Sequence, residues 1–112
     1  MVEIARKAVE IASDKQATDI ILLDVRDIVS FADYFVICSG ESERQISAIY
    51  DEIQHSLKME DIMPRHREGT VESGWLLLDY GDVVVHIFAP AERQYYRLDE
   101  LWDQAKAVVR IQ

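Results

Sequence analysis

One stretch constrains the fold more than any other: Trp75-Leu76-Leu77-Leu78-Asp79-Tyr80-Gly81-Asp82-Val83-Val84-Val85-His86-Ile87-Phe88. Two runs of apolar residues flank a Tyr-Gly pair. They predict a tight antiparallel hairpin with strands Trp75 to Asp79 and Val83 to Phe88. Alternate residues of a strand share a face. Trp75, Leu77 and Asp79 therefore fall on one side, and Leu76, Leu78 and Tyr80 on the other. Val83, Val85 and Ile87 oppose Val84, His86 and Phe88 in the same way. Both faces are apolar, and two readings stand. Either the sheet is buried on both sides and Trp75 is a core residue, or one face stays partly open as an apolar patch with acidic edges. An open patch of that kind marks a protein-binding surface, and a Trp and a Tyr beside carboxylates are typical interface anchors.

The rest of the chain supplies the cover. Ile4, Ala5, Ala8, Ile11 and Ala12 recur at helical spacing and predict an amphipathic helix over residues 2 to 14. The run Ile20-Ile21-Leu22-Leu23-Asp24-Val25 reads as a strand covered on both faces. Arg26 to Ala32 is a loop, and Asp33 to Ser39 is a second strand. The turn "SGES" leads into a helix of about 16 residues, with Ser42 and Gln45 as its capping box and Ile46, Ile49, Tyr50, Ile53 and Leu57 on its inner face. Within the loop-like "EDIMPRHREGTVESG", Ile62-Met63-Pro64 is read as a short edge strand, the one kind of strand that tolerates proline. Pro90 suits a first helical turn, and Leu98, Leu101, Trp102, Ala105, Val108 and Val109 place a helical stripe over residues 91 to 109. The fold class predicted is mixed α/β (α+β): four to five strands and three main helices in one domain spanning residues 1–112.

Of the 112 residues, 49% are hydrophobic, enough for a real core. Asp and Glu number 21 against 12 Lys and Arg, a net charge of −9. That balance argues against wide contact with a nucleic-acid backbone and suits a basic protein partner. Cys38 is the only cysteine, so neither an internal disulfide nor a Cys/His zinc spacing exists, as in a reducing compartment. The N-terminus lacks the apolar core and cleavage site of a secretory signal. No apolar run reaches the roughly 18 residues of a membrane span. A cytoplasmic protein without membrane contact is the expectation.

The residues with chemical potential are few. Ser39-Gly40 sits at a strand-to-helix junction, where free N–H groups and the helix dipole can hold an anion. It lacks the P-loop lysine and the second glycine of a dinucleotide turn, so capping and turn geometry are the favoured reading. A phosphate-transfer enzyme would need carboxylates converging on a divalent ion. Asp24, Asp27, Asp33, Asp79 and Asp82 show no Asp-x-Asp or Asp-x-Glu pair within a strand, and Asp79 and Asp82 flank a turn where acids are common. His86 would need a partner within hydrogen-bond reach to act as acid or base, and a half-buried structural histidine is favoured. His55 and His66 are expected on the surface. Arg65-His66-Arg67 is too small for an RNA-binding patch, and Cys38 reads as a small core residue. No catalytic residue, metal or cofactor is expected. The alternative kept open is a nucleotidyltransferase-like phosphate enzyme using Ser39-Gly40 and the scattered carboxylates.

The segments "DYFVICSGESERQISAI", Glu68-Gly69, "GWLLLDYGDVVVHIF" and "YYRLDELW" resemble the Iojap family of ribosomal silencing factors, in that family's order and over about residues 3 to 103. The resemblance implies a nucleotidyltransferase-like fold without transferase activity. It implies binding to the large ribosomal subunit through the basic ribosomal protein L-fourteen, with the small subunit physically excluded and translation repressed when nutrients are scarce. Help in late large-subunit assembly, little direct rRNA contact, and a homodimer when free are further implications. Carried over by position, Trp75 is the binding tryptophan, and Asp79, Gly81-Asp82 and Glu68-Gly69 match the family motif. Leu77 joins the set because it shares a face with Trp75, and Tyr80 from its place beside the turn. Trp75→Glu is expected to leave the fold intact and abolish ribosome binding.

Overall fold

The computed structural model describes residues 2–97 and 105–111. Helix α1 (Val2–Asp14) leads into strands β1 (Thr18–Asp24) and β2 (Tyr34–Ser39). Helix α2 (Glu43–Lys58) and strands β3 (His66–Thr70), β4 (Trp75–Asp79) and β5 (Val83–Phe88) follow, then the short helix α3 (Pro90–Tyr96) and strand β6 (Lys106–Ile111). The strands form one sheet in the order β3-β4-β5-β2-β1-β6. Only β2 and β5 run parallel; the other neighbours are antiparallel. The chain between β2 and β5 includes α2, as a parallel crossover requires.

Both long helices pack on one face. Ala5, Ala8 and Ala12 let α1 approach closely, and Ile46, Ile49, Ile53 and Leu57 project from α2 onto Ile20, Leu22, Val36, Leu76, Leu78, Val85 and Ile87. Ser42 caps α2 by accepting a 3.1 Å bond from the Gln45 N–H, while Gln45 Oε1 accepts from the Glu41 N–H at 2.8 Å. Gln45 Nε2 also donates to the Gln16 carbonyl at 2.8 Å, which ties the start of α2 to the end of α1. The second face carries a smaller cluster of Ile21, Leu23, Val25, Ala32, Phe35, Ile37, Val84 and Phe88, with Val29, Trp75, Leu77 and Ala105 only partly buried at its rim. Among the described residues its cover is the loop before β2 and the short α3.

Three expectations change. The sheet has six strands rather than four or five. The strand beside β4 is His66–Thr70, not Ile62 to Pro64. Its five residues are all exposed, so the pairing with β4 defines it and no hydrophobic pattern announces it. Proline has no N–H to give a neighbour; the Arg65 N–H makes that bond, to the Asp79 carbonyl at 2.7 Å. The helix expected over residues 91 to 109 ends at Tyr96. Arg97 takes the left-handed conformation, φ 49°, and its N–H closes on the Arg93 carbonyl. Leu98, Leu101 and Trp102 lie outside the described residues. Val108 and Val109 belong to β6, which pairs with β1, so edge pairing of β-branched residues overrides a spacing that also fits a helix.

Candidate partner-binding surface

The hairpin expected from the sequence forms with Tyr80, Gly81 and Asp82 as its connection, closed by a 2.8 Å bond from the Tyr80 N–H to the Val83 carbonyl. Trp75 faces Phe88 across the two strands, and Leu77 faces His86. The strand alternation places Leu76 and Leu78 in the main core and leaves Trp75 and Leu77 half-buried on the other side. The indole lies against Phe88 at 5.0 Å and Tyr96 at 4.5 Å between ring centroids. Its Nε1–H donates to His86 Nδ1 at 3.2 Å.

Beside the indole is a shallow groove of about 230 Å³ lined by Glu68, Gly69, Ser73, Trp75, Leu77 and Tyr96. Strand β3 forms its outer wall, with Glu68 exposed and opposite Leu77. The turn from β3 to β4 is held by the Ser73 hydroxyl, which donates to the Thr70 carbonyl at 2.7 Å, while the Thr70 N–H donates to Ser73 Oγ at 3.2 Å. Gly69 lets β3 lie this close. Its φ is +88°, and a Cβ there would sit 2.0 Å from the Trp75 carbonyl oxygen. Gly69→Ala is expected to push β3 off β4 and cost about 2 kcal/mol in urea unfolding. An unchanged midpoint would show that β3 yields without cost.

Of the residues anticipated from sequence, Glu68, Gly69, Trp75 and Leu77 converge on this groove. Asp79 shares their strand face but lies at the far end of β4, where its Oδ1 accepts from the Gly81 N–H at 2.7 Å and shapes the turn. Asp82 is exposed at that same end, and its carbonyl accepts from the N–H groups of Asp33 and Tyr34. Tyr80 does not join them. It packs on the helix side, and burial pushes its phenol up to about 12. Sequence reasoning missed Tyr96, 43% exposed against the indole, and Phe31, 66% exposed and 6.1 Å from Phe35 at the other end of this face. A Tyr-Tyr pair closing a short helix was the available signal for Tyr96.

Several groups of the Ser39-Gly40 junction are bonded within the fold. The Gly40 N–H donates to the Phe88 carbonyl at 2.9 Å, and the Ser39 hydroxyl accepts from Arg93 Nη1 at 2.9 Å. The N–H groups of Glu41, Gln45 and Ile46 are bound to Gln45 Oε1, Ser42 Oγ and the Ser42 carbonyl. Asp24 pairs with Arg26, Nη2 to Oδ2 at 2.6 Å, and that bond holds its carboxyl below the usual range. Arg26 also lies over the Tyr34 ring. Among the described residues no three His, Cys, Asp or Glu side chains gather in a way that would hold a metal. Cys38 is buried, which pushes its thiol up to about 12. No helix is long and apolar enough to cross a membrane among the described residues.

The geometry coincides with a clear kinship. Residues 1–112 match the sequence family described as "Ribosomal silencing factor during starvation". The chain is 44% identical over 102 residues to the ribosomal silencing factor RsfS of Bacillus subtilis, covering 91% of this chain and 86% of that one. A crystal structure of a Chromobacterium violaceum protein superposes with a TM-score of 0.87 at 36% identity, covering 92% of this chain and 86% of that one. A mouse protein named "Mitochondrial assembly of ribosomal large subunit protein 1" is 32% identical over 97 residues, which span 84% of this chain and 42% of the mouse one. With a family match over its whole length and relatives this close, the chain belongs to the ribosomal silencing factor family.

Proposed function

We propose that this chain docks on the large ribosomal subunit through the Trp75 groove, gripping the basic ribosomal protein L-fourteen, and excludes the small subunit. Translation is thereby repressed when nutrients are limiting. The observation that carries the reading is an aromatic face that is half-open among the described residues. Trp75, Leu77 and Tyr96 line a groove rimmed by Glu68, in a chain of net charge −9. Aromatic anchors beside carboxylates suit a basic protein surface, while the negative field disfavours direct rRNA contact. An obstacle needs no turnover, only an interface of order 1,200 Å². This agrees with a Ser39-Gly40 junction whose Gly40 N–H is bonded to the Phe88 carbonyl and whose Ser39 hydroxyl accepts from Arg93. The mouse relative's name points to the same subunit, and a part in large-subunit assembly belongs to the proposal. The free chain is cytoplasmic and self-associates as a homodimer in this reading.

Sedimentation with purified subunits tests it. The chain is expected to pellet with large subunits and stay in solution with small ones. Equal pelleting with both, or with neither, contradicts the proposal.

A further inference from the structure

Histidine 86 stands out on the second face because it is polar and only 5% exposed in a strand otherwise made of Val, Ile and Phe. Its ring lies edge-on to Phe35 at 4.9 Å and parallel to Phe88 at 6.3 Å. Nδ1 accepts the indole N–H of Trp75, and Nε2 is buried with no hydrogen-bond partner among the described residues. Accepting at Nδ1 leaves the neutral ring's proton on Nε2. A buried donor in that state costs stability. An aliphatic side chain of similar volume would fill the position without that cost. What such a side chain lacks is an acceptor aimed at the indole.

The position of the bond matters. In the β4–β5 register Trp75 faces Phe88, and His86 lies diagonally, two residues away on the same face. Stacking on Phe88 alone allows the indole to slide and tilt. The bond at Nε1 pins the polar edge of the ring, and one wall of the groove is that ring. We propose that His86 is a positioning residue for partner binding: its Nδ1 lone pair holds the Trp75 indole at the tilt that forms the docking groove. The role rests on the Trp75 groove being the surface that meets the large subunit. It runs through Trp75, and His86 itself need not touch the partner.

The test crosses binding with stability. His86→Leu removes the acceptor and keeps the volume. His86→Asn restores an acceptor oxygen close to the place of Nδ1 and adds unsatisfied amide protons. His86→Leu is expected to melt no lower than the parent at pH 7 and to bind large subunits about tenfold more weakly. His86→Asn is expected to melt lower and bind within about threefold of the parent. In a Trp75→Phe background His86→Leu should change binding less than about twofold, because the bond it removes is already gone. Binding that follows melting temperature across the variants, or a His86→Leu loss that persists without the indole, overturns the role. Exchange of the Trp75 indole proton by NMR reads the geometry without ribosomes. Slow exchange in the parent and His86→Asn with fast exchange in His86→Leu is expected, and equal rates overturn the assignment. A parent chain that fails to bind large subunits removes the docking reading and this role together; the exchange rates then show whether the bond itself exists.

Discussion

Trp75→Glu is expected to weaken large-subunit binding by about a hundredfold, close to 2.7 kcal/mol. The indole forms a wall of the groove and stacks on Phe88 and Tyr96, so its loss removes the anchor and leaves the pocket shapeless. The structure adds a second effect. Trp75 is half-buried at the rim of a core cluster, so the substitution also costs about 2 kcal/mol of stability through lost apolar contact. The two effects are separated by Glu68→Lys. Glu68 is exposed on β3 and opposes Leu77. Reversing its charge should leave urea unfolding unchanged within about 0.5 kcal/mol. Binding should weaken several-fold, and more at low salt than at high. If Glu68→Lys binds normally and only destabilising substitutions impair binding, the face is structural and not a docking site.

Acid should destabilise the fold through His86. Burial holds its imidazole down to about 3 in the folded chain, while in the unfolded chain it titrates near its ordinary value of 6.5. Between those values the unfolded state binds a proton that the folded state refuses. The His86 contribution to stability is therefore fully present above pH 6.5 and is lost as pH falls toward 3. Integrated over that window the loss is about 5 kcal/mol, and from pH 7 to pH 4 about 3 kcal/mol. Carboxylates titrate over the same range, and protonating them relieves the repulsion of a chain at −9. The comparison must therefore be made against His86→Leu. Urea unfolding of both chains at pH 7, 5.5 and 4 should show their stabilities diverging as pH falls, with the parent losing more. Parallel curves would mean that His86 is protonated in the fold at little cost.

What was legible in the sequence follows from which forces act locally. The helical stripes of α1 and α2, the Ser42 cap and the β4–β5 hairpin are written in spacing and turn chemistry within about 16 residues of one another, and they appear where expected. Strand β3 was illegible because all five of its residues are exposed; it exists by pairing with β4 around a glycine that tolerates no side chain. Strand β6 was misread because Val108 and Val109 fit a helical stripe and an edge strand alike, and only β1 decides between them. The site divides in the same way. Alternation placed Trp75 and Leu77 on one face, and the family pattern supplied Glu68 and Gly69. The bond from Trp75 to His86 and the arrival of Tyr96 depend on register and on where α3 stops. Among the described residues both long helices lie on the same side, and the indole on the other is half-buried.

An obstacle seated by the Trp75 groove must slow subunit joining, which can be followed directly. Large subunits are mixed with the chain, small subunits are added, and light scattering follows the formation of whole ribosomes. Joining is expected to fall in proportion to the fraction of large subunits occupied, and Trp75→Glu and Glu68→Lys are expected to restore it in the order of their lost affinity. Undiminished joining on large subunits saturated with the chain would contradict it.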